Sequence, residues 1–155
     1  MIDRREVLKV RIAENFDAMM STVECLLNPL NPIKAMTVTG ASGIGKSYNV
    51  IKRLVEADDM GECNYHYLNG KCTTLGLYQA MWNAREIGSI LLMDDVDVFD
   101  NEDKLNLLKA GLESDDERII TYMSSSRVLA DNGIPTQFDF NGKIVFITNK
   151  DLVKI

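Results

Sequence analysis

The chain is poor in the residues that would make it a disulfide scaffold, a zinc module or a membrane protein. Its three cysteines, Cys25, Cys63 and Cys72, are an odd number at irregular spacing. That is no disulfide framework, and it suits a reducing compartment. The single histidine, His66, stands between Cys63 and Cys72 without C-x₂-C pairing or a fourth ligand, so zinc is not expected. No run approaches the roughly 18–20 apolar residues that span a bilayer. Nor does the start lead into the apolar block of a signal peptide. No membrane partner is therefore expected, and the expected location is cytoplasmic, in a cell or an infected host. Basic residues are outnumbered 17 to 23, a formal balance of −6. The whole would repel a polyanion, which argues against a dedicated DNA-binding module while leaving room for local basic loops. Internal repeats and low-complexity segments are lacking.

What remains is a single domain long enough to bury a core, in which β-prone and helical patterns alternate. A first segment, 1–34, reads as a helix to about Leu27, with Phe16, Met19, Met20, Val23, Leu26 and Leu27 on one face. Pro29 and Pro32 then break it. The core follows at 35–155. It holds a short strand at 35–39 and a helix at 46–57 with Val50, Ile51, Leu54 and Val55 inward. Next come a strand at 64–68 and a helix capped by Thr73 or Thr74 that carries Leu77, Tyr78, Met81 and Trp82. The continuous apolar run 89–93 is the pattern of a strand buried on both faces. A helix at 102–112 puts Leu105, Leu108 and Leu112 inward. Two further strands, 118–122 and 137–140, flank a polar loop holding Arg127, and a last buried strand runs 143–147. This is an α/β layout with a mainly parallel sheet.

Between the first strand and its helix, Gly40, Gly45, Lys46 and Ser47 fit G-x-x-x-x-G-K-[ST]. At average residue frequencies an accidental match in a chain this long is of the order of one in two hundred, and the strand–loop–helix context lowers that further. A phosphate needs inward-turned backbone N–H groups, and Gly40, Gly43 and Gly45 permit the bend. The following helix aims its first N–H groups and positive dipole end at the same anion. Lys46 brings a point charge to the β- and γ-phosphates of ATP, and the Ser47 hydroxyl is a ligand for Mg²⁺. The nucleotide-binding segment is Gly40, Ala41, Ser42, Gly43, Ile44, Gly45, Lys46, Ser47 and Tyr48.

Magnesium then needs a carboxylate on a neighbouring strand, and the attacking water must be oriented. Asp94 and Asp95 end the apolar strand 89–93 at the edge where ligands of open α/β sheets bind. Asp94 is assigned to the metal and Asp95 to the water. Asn149 repeats the arrangement at the end of the last strand, where its amide suits the γ-phosphate or the water.

A glycine-rich cradle, an apolar strand with Asp94-Asp95 and an apolar strand with Thr148-Asn149 together resemble the AAA+ family of ring-forming ATPases. There these elements are Walker A, Walker B and sensor 1, and the resemblance covers 35–149. It implies a three-layer P-loop sandwich, ATP and Mg²⁺ as cofactors, and a homo-oligomer in the full-length form that moves DNA or remodels a protein client. A phage- or virus-type member is the nearest likeness. Two features depart from the family. Most members place Glu where Asp95 stands. Only six residues follow Asn149, too few for the helical lid, so the expectation is a core truncated after sensor 1 or one whose missing parts come from another chain. Without that lid and an arginine finger, turnover by the chain alone is expected to be weak; Arg118 and Arg127 are candidates to act in trans. The Asp-Asp pair is also similar to superfamily 3 viral helicases, whose hairpin between Walker B and the sensor asparagine touches DNA. On that reading Arg127 and Lys143 become DNA contacts. A nucleotide kinase, sharing the cradle but needing an arginine-rich lid, and a non-catalytic nucleotide switch are the other readings.

Overall fold

The computed structural model describes residues 4–39, 46–113 and 117–148, with side chains at 4–15 and 46 outside that description. Helix α1 (Arg4–Leu27) stops where Asn28 and Pro29 follow, and the Asn28 N–H closes its last turn on the Glu24 and Cys25 carbonyls. Strand β1 (Ala35–Thr39) leads to helix α2 (Lys46–Asp59), then strand β2 (Asn64–Asn69) and helix α3 (Thr74–Asn83). Strand β3 (Ser89–Asp94) is followed by helix α4 (Glu102–Leu112). Strand β4 (Ile119–Thr121), the short helix α5 (Arg127–Asp131) and strand β5 (Gln137–Asp139) precede the last strand, β6 (Lys143–Thr148).

Four parallel strands form one sheet in the order β1-β6-β3-β2, and β4 and β5 form a separate antiparallel pair. Alternation along the strands gives the sheet two apolar faces, each needing a cover. Ile90, Leu92, Val145 and Ile147 point to one side and pack with Met19, Val23 and Leu26 of α1 and Val50, Leu54 and Ala57 of α2. Leu91, Met93, Ile144 and Phe146 point to the other, beneath Leu77, Tyr78 and Met81 of α3, Leu107 and Leu108 of α4, and Phe138 of β5. Among the described residues no helix is long and apolar enough to cross a membrane.

The helices turn slightly differently from the sequence pattern. Phe16 and Val55 lie at the surface while Ala57 is fully buried, so α2 faces the sheet through Val50, Leu54 and Ala57. In α4 the buried residues are Lys104, Leu107, Leu108 and Gly111, with Leu105 and Leu112 at the margin. The glycine sets this rotation: a Cβ there would lie 2.6 Å from Ile144 Cδ1 and 2.7 Å from Met81 Cε. The segment between β4 and β5 is not wholly loop either, because Ser126 caps α5 through the Leu129 N–H.

Two cations assigned above to exposed roles are structural. Arg118 is 4% exposed. Its guanidinium donates to the Gly111 and Gly142 carbonyls and lies 5.0 Å over the Phe140 ring. Both arms of the fork are spent inside the chain, so Arg118 is no arginine for a neighbour's nucleotide. Lys143 opens β6 at the end of the sheet opposite Asp94. Its Nζ donates to the Leu26, Asn28 and Asn31 carbonyls, closing the C-terminus of α1, where a cation is favoured. It is not a DNA contact. Arg127, at the start of α5, is exposed.

Candidate functional site

The carboxyl ends of β1, β6 and β3 finish level with one another. Thr39 pairs with Thr148, and Asp94 with Ile147. With strands about 4.8 Å apart, Thr39 and Asp94 are separated by roughly 10 Å across the sheet edge. β3 is therefore not the immediate neighbour of β1, because β6 lies between them. Helix α2 begins at Lys46, with only six residues between it and Thr39. The connection from β1 to α2 therefore starts at the edge where Asp94 stands. Gly40, Ala41, Ser42, Gly43, Ile44, Gly45 and Asn149 lie outside the described residues, as does the Lys46 side chain. Ser47 is half-buried in the first turn of α2 and Tyr48 beside it is exposed.

Asp94 is half-buried, and its Oδ2 accepts a hydrogen bond of 3.1 Å from the Tyr67 hydroxyl. The register Asn69↔Asp94 sets Tyr67 two residues upstream on the adjacent strand, where a long ring reaches diagonally to its neighbour. Burial first, then the carboxylate beside it, pushes the Tyr67 phenol above its ordinary pKa, so it stays a donor at neutral pH.

Asp95 leaves the sheet through a left-handed backbone, φ 54°. Its N–H still donates to the Ile147 carbonyl at 2.8 Å, tying the end of β3 to β6. Aspartate accepts this conformation more readily than most side chains because its short carboxylate bonds locally. Beyond it, Val96 and Val98 are buried anchors, and the Lys104 ammonium donates to the Asp97 carbonyl and pairs with Asp100. The loop bearing Asp95 is thereby held from behind.

The donor set fits a hard divalent cation. Asp94 offers a carboxylate and Ser47 a hydroxyl, and magnesium takes one or two such oxygens while keeping water and phosphate for the rest. Among the described residues no group of three or more His, Cys, Asp or Glu side chains could cage a metal alone. Cys63 and Cys72 face opposite sides of the sheet: Cys63 is buried under α2, and Cys72 packs on the α3 side. Trp82 is packed as core, edge-on to Phe138 with the Arg85 guanidinium 3.5 Å above its ring.

Tyr67 and Lys104 were missed in the sequence. A tyrosine alternating with His66 showed that β2 has two faces, but nothing local revealed β3 as its partner.

The chain is 42% identical over 147 residues to a protein of Enterobacteria phage T4, the uncharacterized 36.7 kDa protein in the nrdC-mobD intergenic region. The alignment covers 95% of this chain and 45% of that relative, so the chain spans less than half the length of the curated relative it matches. No protein-family model matches the chain. No solved structure matches it significantly.

Proposed function

We propose that this chain is the nucleotide-binding core of a Mg²⁺-dependent ATPase of the AAA+ type, acting in a phage-infected cell as part of an oligomer that moves DNA or remodels a protein. The observation that carries the reading is the shared edge: the G-x-x-x-x-G-K-S turn joins β1 to α2 at the end of the sheet where β3 delivers Asp94 and Asp95. A parallel sheet opens every strand-to-helix connection at this edge, so the support is that the phosphate-binding pattern falls on such a connection, with strand before and helix after.

In this reading the backbone N–H groups of 40–45 and the first turn of α2 hold the phosphates, and Lys46 neutralises their charge. Ser47 and Asp94 hold magnesium, which when bound draws charge from the β- and γ-phosphate oxygens. Asp95, fixed by its Ile147 bond, orients the attacking water, and Asn149 contacts the water or the γ-phosphate from the neighbouring strand. Arg127 remains available as an arginine acting in trans.

The antiparallel pair β4–β5 lies between β3 and β6 in the chain, as the DNA-touching hairpin does in superfamily 3 helicases, and that favours DNA as the client. Its strands are anchored by Ile120 and Phe138, which leaves α5 and Arg127 at the far end. The test is ATP turnover with and without single- or double-stranded DNA, for wild type and Lys46→Ala. DNA-stimulated phosphate release abolished by the substitution supports the motor. Absence of Mg²⁺-dependent ATP binding in the wild type overturns the ATPase reading itself.

A further inference from the structure

We propose that Tyr67 is a positioning residue for the metal: its hydroxyl orients the Asp94 carboxylate so that one oxygen is presented to Mg²⁺. This rests on the magnesium–ATP reading above and adds to it a residue that the Walker motifs do not contain.

The geometry is specific. The Tyr67 hydroxyl donates to Asp94 Oδ2 at 3.1 Å, a long hydrogen bond whose effect is to orient the carboxylate rather than to add much stability. With Oδ2 engaged, Oδ1 has no hydrogen-bonding partner among the described residues and is the oxygen left for a cation. The last torsion of a carboxylate is broad, with no sharply preferred rotamer. A hydrogen bond on one oxygen removes that freedom, which is how outer partners set the orientation of metal ligands.

Tyr67 is itself supported. Its ring centroid lies 6.4 Å from that of Tyr65, two residues back on the same face of β2, and Tyr65 packs on the core beneath α2. The two tyrosines are chemically alike but differ in what their hydroxyls do. The Tyr65 hydroxyl is buried with no hydrogen-bond partner among the described residues, whereas the Tyr67 hydroxyl reaches the acid. Tyr65 is thus an internal control, carrying the same atom in the same strand without the contact.

The experiment titrates Mg²⁺ into the full chain with a fluorescent ATP analogue and reads nucleotide binding, not turnover. Tyr67→Phe keeps the ring and removes only the hydroxyl. It should raise the Mg²⁺ concentration at half effect by about tenfold, the lower end for loss of an outer-shell partner. Analogue affinity in EDTA should match wild type. Tyr65→Phe should leave the Mg²⁺ dependence where it was, and Asp94→Asn should shift it further than Tyr67→Phe. Equal Mg²⁺ dependence for Tyr67→Phe and wild type overturns the positioning role while leaving the ATPase reading intact. Weakened binding in EDTA overturns it too, because the hydroxyl would then be serving the nucleotide. If the wild type binds the analogue no better with Mg²⁺ than without, the ATPase reading and the role of Tyr67 fall together.

Discussion

Lys104, buried on α4, pairs with the Asp100 carboxylate at 3.0 Å and donates to the Asp97 carbonyl at 3.1 Å. A lysine so enclosed, with 8% of its side chain exposed, is held by partners that belong to the loop after β3. Helix and loop are therefore one unit, and the backbone that presents Asp95 is supported by a charge on the sheet's other side. The apolar stem also fills space beside Leu107 and Leu108.

Stem and charge can be separated by substitution. Lys104→Met retains the volume, and its partner Asp100 is 56% exposed and is hydrated once the ammonium is gone, so urea stability should stay within about 1 kcal/mol of wild type. Lys104→Ala removes the stem as well and should cost about 2–3 kcal/mol, within the range for large-to-small changes in a core. If the loop serves Asp95, Lys104→Met lowers ATP turnover despite its stability, with nucleotide binding retained. Equal stability loss in both variants would show that the charge, not the stem, dominates.

Arg118 makes a sharper case. Burial lowers its pKa below the ordinary arginine value, yet the group remains charged at any workable pH and must be hydrogen-bonded where it lies. Arg118→Ala leaves the Gly111 and Gly142 carbonyls without their donors and opens a cavity, and should cost about 3–5 kcal/mol in denaturant melts. Mixing this variant with a Lys46→Ala chain should restore no turnover, since the arginine is spent within its own fold. Restored activity in such mixtures would return Arg118 to a role between subunits.

The sheet's centre was legible because physics leaves it little choice. The runs 90–93 and 144–147 are apolar at every position, which only a strand covered on both faces tolerates. Their polar terminators, Asp94 and Thr148, were placed at one edge for the same reason. Contacts that depend on register were not legible. Nothing in the order of residues says that β2 lies against β3, so Tyr67 and Asp94 could not be paired. Arg118 and Lys143 read as surface charges because burying a cation is normally prohibitive; the carbonyls that make it tolerable come from elements far apart in the chain. The glycine-rich turn and Asn149 lie outside the described residues, and their roles rest on the sequence and on the flanking elements.

Gly111 sets how closely α4 approaches the sheet. A methyl group there would meet Ile144 Cδ1 and Met81 Cε at less than van der Waals distance. Both are ends of flexible side chains, so the clash shifts them without breaking the helix. Overpacking of this kind typically costs about 1–3 kcal/mol, against a gain of roughly 1 kcal/mol in helix propensity. Gly111→Ala should therefore be destabilising by up to about 2 kcal/mol. Ile144→Val deletes the offending Cδ1, and in the double variant the alanine should cost less than it does alone. Strict additivity in that cycle would place the strain elsewhere.

Tyr78 predicts how the fold fails in alkali. It is fully buried, its hydroxyl donates to the Pro135 carbonyl, and burial pushes its pKa up from 10 to about 12. In the unfolded chain the phenol ionises near pH 10, whereas in the fold it keeps its proton. Between those values the unfolded state binds fewer protons, so stability falls as pH rises. The contribution is complete below pH 10 and gone above about pH 12, and a two-unit difference is worth about 2–3 kcal/mol. Tyr78→Phe removes this titration. Its melting temperature should be lower than wild type at pH 8, where the hydrogen bond to Pro135 is lost, but should decline less steeply from pH 10 upward. Parallel curves for the two proteins across that window would mean that the Tyr78 phenol is not what alkali acts on.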